Sequence, residues 1–266
     1  MATTVVVTGV SGKMAKETLL ALCRAPDLEP VGAVSRHAQE EFLALPDGSG
    51  LIPLSTDVEH LLHRLRPDVL VDFTSAAYAA AVAKSAVAHG VRPVVGTSGL
   101  GPADVDDLTA RCAAAKLGGV IAPNFALGAV VLMHLAAVAS RFFDHAEIIE
   151  MHHDAKADAP SGTAIATAQM MGRAHGGPFS TAPTLKETLP HPRGSLLEGI
   201  PLHSMRLPGL LAHQEVVFGS AGQTLRLRHD TLNRECYMPG VLIAVREVMK
   251  LDHLVFGLDR LLGLGG

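Results

Sequence analysis

The densest chemistry in the chain lies between Glu150 and Ala164, in the run Glu-Met-His-His-Asp-Ala-Lys-Ala-Asp-Ala-Pro-Ser-Gly-Thr-Ala. His152, His153 and Lys156 supply positive charge and transferable protons, and an imidazole changes protonation state near neutral pH. Pro160 followed by Ser161, Gly162 and Thr163 reads as the opening of a helix, whose first N–H groups and positive dipole end make a seat for a carboxylate. Together these residues can grip a small anion and protonate a group bound beside it. Singly, each has a plainer reading as part of a polar loop, with Ser161 as a helix N-cap. His152, His153, Asp154 and Asp158 are also zinc-type donors. Adjacent residues on a strand point to opposite faces, however, so His152 and His153 do not chelate one ion and no metal is expected.

A second group of residues points to a phosphate-bearing cofactor. Gly9-Val10-Ser11-Gly12-Lys13-Met14-Ala15 follows a β-branched run and opens a helical stretch, so backbone N–H groups and the helix dipole aim at an incoming phosphate. A dinucleotide fits best, although flavin, S-adenosylmethionine or a simple tight turn would use the same spacing. After the second strand the chain reads Val34-Ser35-Arg36-His37. An acid there would hold the ribose 2′-hydroxyl of NAD. Asp27 and Glu29 precede the strand and belong at its other end. Ser35, Arg36 and Lys13 are therefore expected to take a 2′-phosphate through charge-assisted hydrogen bonds, which makes NADPH the expected cofactor with NADH still open. The competing reading of Arg36 is a solvated loop charge. Asp72-Phe73-Thr74-Ser75, Gly96-Thr97-Ser98-Gly99 and Ala122-Pro123-Asn124-Phe125 end three further strand-like runs and are candidates to line the nicotinamide and ribose. Asp72 serves equally well as a helix cap and Thr97 as a turn residue.

These groups require a scaffold that presents strand ends. Through residue 123, short β-branched runs alternate with helical stretches, the mark of a doubly wound, Rossmann-type parallel sheet of the α/β class. Residues 124–237 change texture: a long apolar helix, a strand through Ala146–Met151, the polar segment, a helix from Ser161, a Pro- and Gly-rich loop, and the alternating strands Ile200–Arg206, Ala212–Phe218 and Gln223–His229. That pattern predicts a second, α+β domain with a mixed or antiparallel sheet, open on one face. The apolar tail, 238–266, is expected to be helical and to complete the first domain.

Composition narrows the partners. Of 266 residues, 48% are hydrophobic and 18% charged, which excludes a disordered chain. Lys and Arg number 22 against 26 Asp and Glu, with no like-charge block to follow a phosphate backbone, so nucleic acid is not an expected partner. The longest apolar run, Phe125–Ala139, contains His134 and falls short of the ~20 residues of a membrane span. The start, Met1-Ala-Thr-Thr before Val5, shows no basic and long apolar run, so a secretory signal is not expected. Cys23, Cys112 and Cys236 lack CxxC spacing and read as small core hydrophobes, consistent with a reduced cytoplasm.

The Glu150–Ala164 segment resembles the active-site signature of the 4-hydroxy-tetrahydrodipicolinate reductases, long called dihydrodipicolinate reductases, of the diaminopimelate route to lysine. That pattern is Glu-x-His-His-x-x-Lys-x-Asp-Ala-Pro-Ser-Gly-Thr-Ala, and every fixed position is present. The similarity extends through Gly9–Ala15, Asp72-Phe-Thr, Gly96-Thr-Ser-Gly, Ala122-Pro-Asn-Phe, His203-Ser-Met-Arg-Leu-Pro-Gly and His213-Gln-Glu. The resemblance implies that His152 and Lys156 donate protons, and that His153, Lys156, Ser161, Gly162 and Thr163 bind the carboxylates of a small dicarboxylate. It implies hydride transfer to C4 of the substrate ring as the 4-hydroxyl leaves as water, protonation at C3, and a homotetramer joined through the second sheet. Three positions depart from the commoner pattern. Ala15 replaces a third glycine, Ala126 stands where many relatives have Ser, and Ser35 stands where members using NADH often carry an acid. Rival readings are another NADP-dependent dehydrogenase, acting on an amino acid or a semialdehyde, and a non-catalytic dinucleotide sensor. Neither has a use for Lys156 beside Ser161–Thr163.

Overall fold

Val5, Val6 and Val7 have no exposed surface, as a strand covered by helices on both faces requires. They form the centre of β1 (Thr3–Thr8) in a computed structural model that describes residues 1–190 and 192–264. Next come α1 (Lys13–Arg24), β2 (Leu28–Val34), β3 (Phe42–Ala44), β4 (Leu51–Ser55), α2 (Val58–Leu65), β5 (Val69–Asp72), α3 (Ala76–Ala88), β6 (Arg92–Val95), α4 (Pro102–Ala115) and β7 (Gly119–Ile121). The second part of the chain contains α5 (Leu127–Ala139), β8 (His145–His152), α6 (Gly162–His175), β9 (Ser195–Leu197), β10 (Ile200–Arg206), β11 (Ala212–Ser220) and β12 (Gln223–Thr231), and α7 (Met238–Glu247), β13 (Leu254–Phe256) and α8 (Leu258–Leu261) close it. Two units result, Met1–Ala126 with Arg234–Gly266, and Leu127–Asn233.

In the first unit the sheet runs β13-β7-β6-β5-β1-β2-β4-β3. Every neighbouring pair is parallel except β3 with β4. This is the doubly wound α/β sheet that alternation in the sequence predicts. The short β3–β4 pair was not foreseen, because each strand is too brief to show a period. The expectation of a wholly helical tail needs correction. Helix α7 stops at Glu247, and Leu254–Phe256 joins the sheet edge beside β7. Gly118 permits that approach, since a Cβ there would stand 2.2 Å from the Val248 carbonyl oxygen. Gly265 and Gly266, the last residues of the predicted terminal segment, lie outside the described residues. Cys112 is fully buried among Leu108, Ile121 and Leu254, and burial pushes its thiol up to about 11, in keeping with its reading as a core hydrophobe.

In the second unit the sheet order is β12-β11-β8-β10-β9. Strand β10 runs parallel to β8, and the other pairs are antiparallel, so the sheet is mixed. Here the three late strands are not one antiparallel set, because β8 inserts between β10 and β11. Alternation reports which face of a strand is buried, not which strand lies beside it. Ala146 and Ile148 of β8 share the buried face with Leu202 of β10 and Val216 of β11, under α5 and α6. Among the described residues no helix is long and apolar enough to cross a membrane.

Candidate active site

In the first unit the candidate cofactor residues occupy the carboxyl ends of β1, β2, β5, β6 and β7. Successive strands leave β1 in one direction and resume on its other side with β5, so the loops after β1 and β5 flank a topological switch point. Gly9 has φ +74°, and a Cβ there would meet Thr74 Cγ2 at 2.7 Å. Its N–H donates to the Val34 carbonyl at 2.8 Å, which closes the turn against β2. Gly12 caps α1 without a side chain, and the first turn of that helix carries no acid. The N–H groups at the start of α1 are thus left for an anion. Around them Val10 is buried, Met14 half-buried, and Ser11 and Lys13 exposed. Ala15 is 1% exposed, in a contact that tolerates a methyl group. Ser35 is buried with its N–H on the Ser55 carbonyl, and exposed Arg36 lies over the Tyr78 ring at 5.9 Å. Asp27 sits at the opposite end of β2, paired with Arg246 at 2.7 and 2.8 Å.

The remaining candidates in this unit divide into scaffold and surface. Asp72, fully buried, accepts hydrogen bonds from the hydroxyls of Thr8 at 2.5 Å, Thr74 at 2.8 Å and Thr97 at 2.7 Å. It ties the ends of β1, β5 and β6 together, while Ser75 is the residue at the α3 N-cap. The Phe73 ring meets Phe125 edge to face at 5.8 Å, and Phe125 and Ala122 are buried. Gly96 stands against the Phe73 ring. Asn124 accepts from the N–H of Ala126, itself buried. Ser98 and Pro123 are exposed.

In the second unit the polar segment leaves β8 and enters α6. Glu150 and His152 are two apart on β8, so both face the side covered by α6. The Glu150 carboxylate is fully buried and is met by donors from the Ser161 backbone and from His152, Ser204 and Arg206. Oε1 accepts from the Ser161 N–H at 3.2 Å and Arg206 Nη2 at 2.8 Å. Oε2 accepts from Arg206 Nη1 at 2.9 Å and lies 2.5 Å from His152 Nδ1. Burial pushes this carboxyl up, but its bonds to Arg206, Ser204 and His152 outweigh burial and hold it below its ordinary value. Burial also holds the His152 imidazole below its ordinary value, against the upward pull of Glu150. Lys156 Nζ donates to Asp158 at 2.6 Å and keeps that carboxyl low.

Ser161 accepts from the Ala164 N–H at 3.2 Å and is therefore the N-cap of α6. With its own N–H on Glu150 and its side chain 3% exposed, Ser161 has only its hydroxyl hydrogen left to offer. Gly162 is exposed and Thr163 half-buried, and their N–H groups have no partner within the helix. Nothing lies within 4 Å of where a Gly162 Cβ would stand. His153 is half-buried, and its carbonyl accepts from the Lys156 N–H. No group of three or more His, Cys, Asp or Glu arranged to hold a metal occurs among the described residues.

Arg206 is the residue that sequence reasoning missed. The parallel register places it opposite His152, with Ser204 opposite Glu150. Its only signal was membership of the run His203–Gly209, which carries no periodicity or spacing relative to Glu150.

Comparison with known proteins shows what the chain as a whole resembles. Residues 3–125 match the family model described as "Dihydrodipicolinate reductase, N-terminus", and residues 128–262 match that described as "Dihydrodipicolinate reductase, C-terminus". The chain is 52% identical to a 4-hydroxy-tetrahydrodipicolinate reductase of Dehalococcoides mccartyi over 98% of each chain. It is 47% identical to one of Nostoc punctiforme over 97% of each. Among solved structures, a dipicolinate-bound dihydrodipicolinate reductase from a Paenisporosarcina species superimposes with a TM-score of 0.88 at 39% identity, covering 98% of this chain and 99% of that one. An amine dehydrogenase of Mycobacterium smegmatis, at 16% identity and TM-score 0.68, shares the fold.

Proposed function

Because this chain belongs to the dihydrodipicolinate reductase family, we propose that it reduces 4-hydroxy-tetrahydrodipicolinate to tetrahydrodipicolinate with loss of water, using a nicotinamide nucleotide. The carrying observation is the pairing of a proton-bearing cluster, His152 and Lys156, with the open N–H groups of Gly162 and Thr163 at a helix start. Residues 1–123 with the terminal segment hold the nucleotide, and residues 124–237 hold the dicarboxylate.

The first unit has the features a dinucleotide needs: a glycine turn at Gly9 with no room for a Cβ, and an acid-free helix start at Gly12 for the pyrophosphate. Ser11, Lys13, Ser98 and Pro123 offer the surface contacts. Arg36, with Ser35 and Lys13, favours a 2′-phosphate, so NADPH is the preferred donor. When bound, the reduced nicotinamide supplies the hydride that reaches C4 of the substrate ring.

In the second unit, Gly162, Thr163, Lys156 and His153 bind the two carboxylates, with the Ser161 hydroxyl as a further donor. Binding fixes the ring, and His152 and Lys156 deliver the proton that C3 takes up. Four copies associate through the face of the second sheet turned away from α5 and α6, where Ile149, Met205 and Val217 lie, in a cytoplasmic homotetramer. Sedimentation at assay concentration tests the assembly.

Lys156→Ala tests the activity itself. NADPH binding is expected to persist, while turnover of the synthase-generated substrate falls by orders of magnitude. Near-normal turnover would overturn the reading, and a sensor of nucleotide ratio would be indifferent to the change.

A further inference from the structure

Buried charge inside a small α+β unit is costly unless every lone pair is met, and Glu150 meets that condition. Its partners are not scattered. One is the imidazole on the same strand, one is the N–H of the N-cap residue at the α6 entrance, and β10 supplies the others, two from a single guanidinium and one from the Ser204 side chain. Arg206 is itself fixed by a further donation from Nη2 to the Asp158 carbonyl at 2.6 Å, and the Leu207 N–H bonds the His152 carbonyl at 3.1 Å.

We propose that Glu150 and Arg206 are positioning residues for the proton donor. Arg206 locks the Glu150 carboxylate, which holds the His152 ring with Nδ1 as the donor to Glu150 and Nε2 as the nitrogen that serves the substrate. The inference rests on the reading of His152 as a proton donor. An ionised carboxylate can only accept, so hydrogen-bond logic assigns the Nδ1 hydrogen. In the step, the Nε2–H bond of the imidazolium breaks and its electron pair stays on Nε2. The proton bonds to C3 through the electron pair of the substrate's carbon–carbon double bond, and Nδ1 keeps its hydrogen on Glu150. Without Glu150 the ring can adopt either tautomer or turn away. Lys156, the other cation of the segment, is held by exposed Asp158 and has no comparable brace.

Nitrogen-15 NMR of histidine-labelled wild-type protein, with the His152 signals assigned by their loss in His152→Gln, tests the tautomer directly. The Nδ1–H form is expected above the titration of the ring, and a predominant Nε2–H form would overturn the proposal. In Glu150→Gln, kcat is expected to fall about 10²-fold or more while KM for the substrate and Kd for NADPH stay within about threefold. The His152 signals should shift towards the other tautomer. Folded Glu150→Gln with wild-type kcat and tautomer would overturn it. Should that variant fail to fold, Arg206→Lys, which keeps the charge and loses the two-pronged grip, should show the same split with a smaller loss, and an unchanged kcat there would count against the proposal. Unimpaired turnover in His152→Gln would instead refute His152 as donor, a result distinct from a wrong tautomer.

Discussion

The Phe73 ring fills the space in front of Gly96, so a Cβ there would stand 2.0 Å from the nearest ring carbon. Packing within the first unit thus requires this glycine, whatever else the loop binds. Gly96→Ala should displace Phe73 from its edge-to-face contact with Phe125 and cost roughly 1–3 kcal/mol of stability, the usual range for overpacking. Thermal unfolding measures this, and an unchanged Tm would mean the ring yields freely.

Gly162 is the opposite case. No protein atom lies within 4 Å of its Cβ position and its backbone is ordinary for any residue, so Gly162→Ala should leave Tm unchanged or slightly raised. If a substrate carboxylate rests on this N–H, the methyl group intrudes on it. KM for the dicarboxylate should rise about tenfold or more, the worth of one charge-assisted hydrogen bond. An unchanged KM would remove Gly162 from the binding site.

The proposed preference for NADPH rests on Arg36, which is exposed at the end of β2 and stacked over Tyr78. NADPH should give the higher kcat/KM. Arg36→Ala should lower kcat/KM for NADPH about 10–100-fold, the value of a lost bond to a charged phosphate, with little effect on NADH. Equal use of both nucleotides by the wild-type chain would refute the preference.

The pH profile follows from His152, which burial holds below its ordinary 6.5. With His152 as the proposed donor, its protonated form in the free enzyme is lost as pH rises through that depressed value, so log(kcat/KM) should begin to fall below pH 6.5. A bound dianion favours the imidazolium, so the break in kcat should lie at higher pH. Coincident breaks, or no break in the histidine range, would exclude His152 as the acid.

Folding stability has the same sign for both buried groups. A depressed His152 takes up its proton more readily in the unfolded chain, so stability falls as pH drops from 6.5 towards the folded value. Glu150 adds a second loss as pH falls from 4.5 through its depressed folded value. Denaturant titrations across this range should show both, and the lower loss should shrink in Glu150→Gln, the remainder belonging to other carboxyls held low, such as Asp158 and Asp230.

The sequence by itself settled the class of fold, because β-branched runs buried on both faces and alternating with helices have few other solutions. It also singled out the segment proposed to carry the chemistry, since His152 ends a strand and Lys156 and Ser161–Thr163 follow within one turn and helix start whose local geometry needs little help. Strand order in the second sheet was beyond it. So were the β13 edge and the fate of the strand-end residues, which include Asp72 as a hub of hydroxyls and Gly96 as a space for Phe73. Above all, nothing in the order of residues joins Arg206 to Glu150. Periodicity records which side of an element is apolar, while the partner of a buried charge depends on which distant strand lies alongside. Only the parallel register of β10 on β8 decided that Arg206 would answer Glu150, and with it how the His152 ring is held.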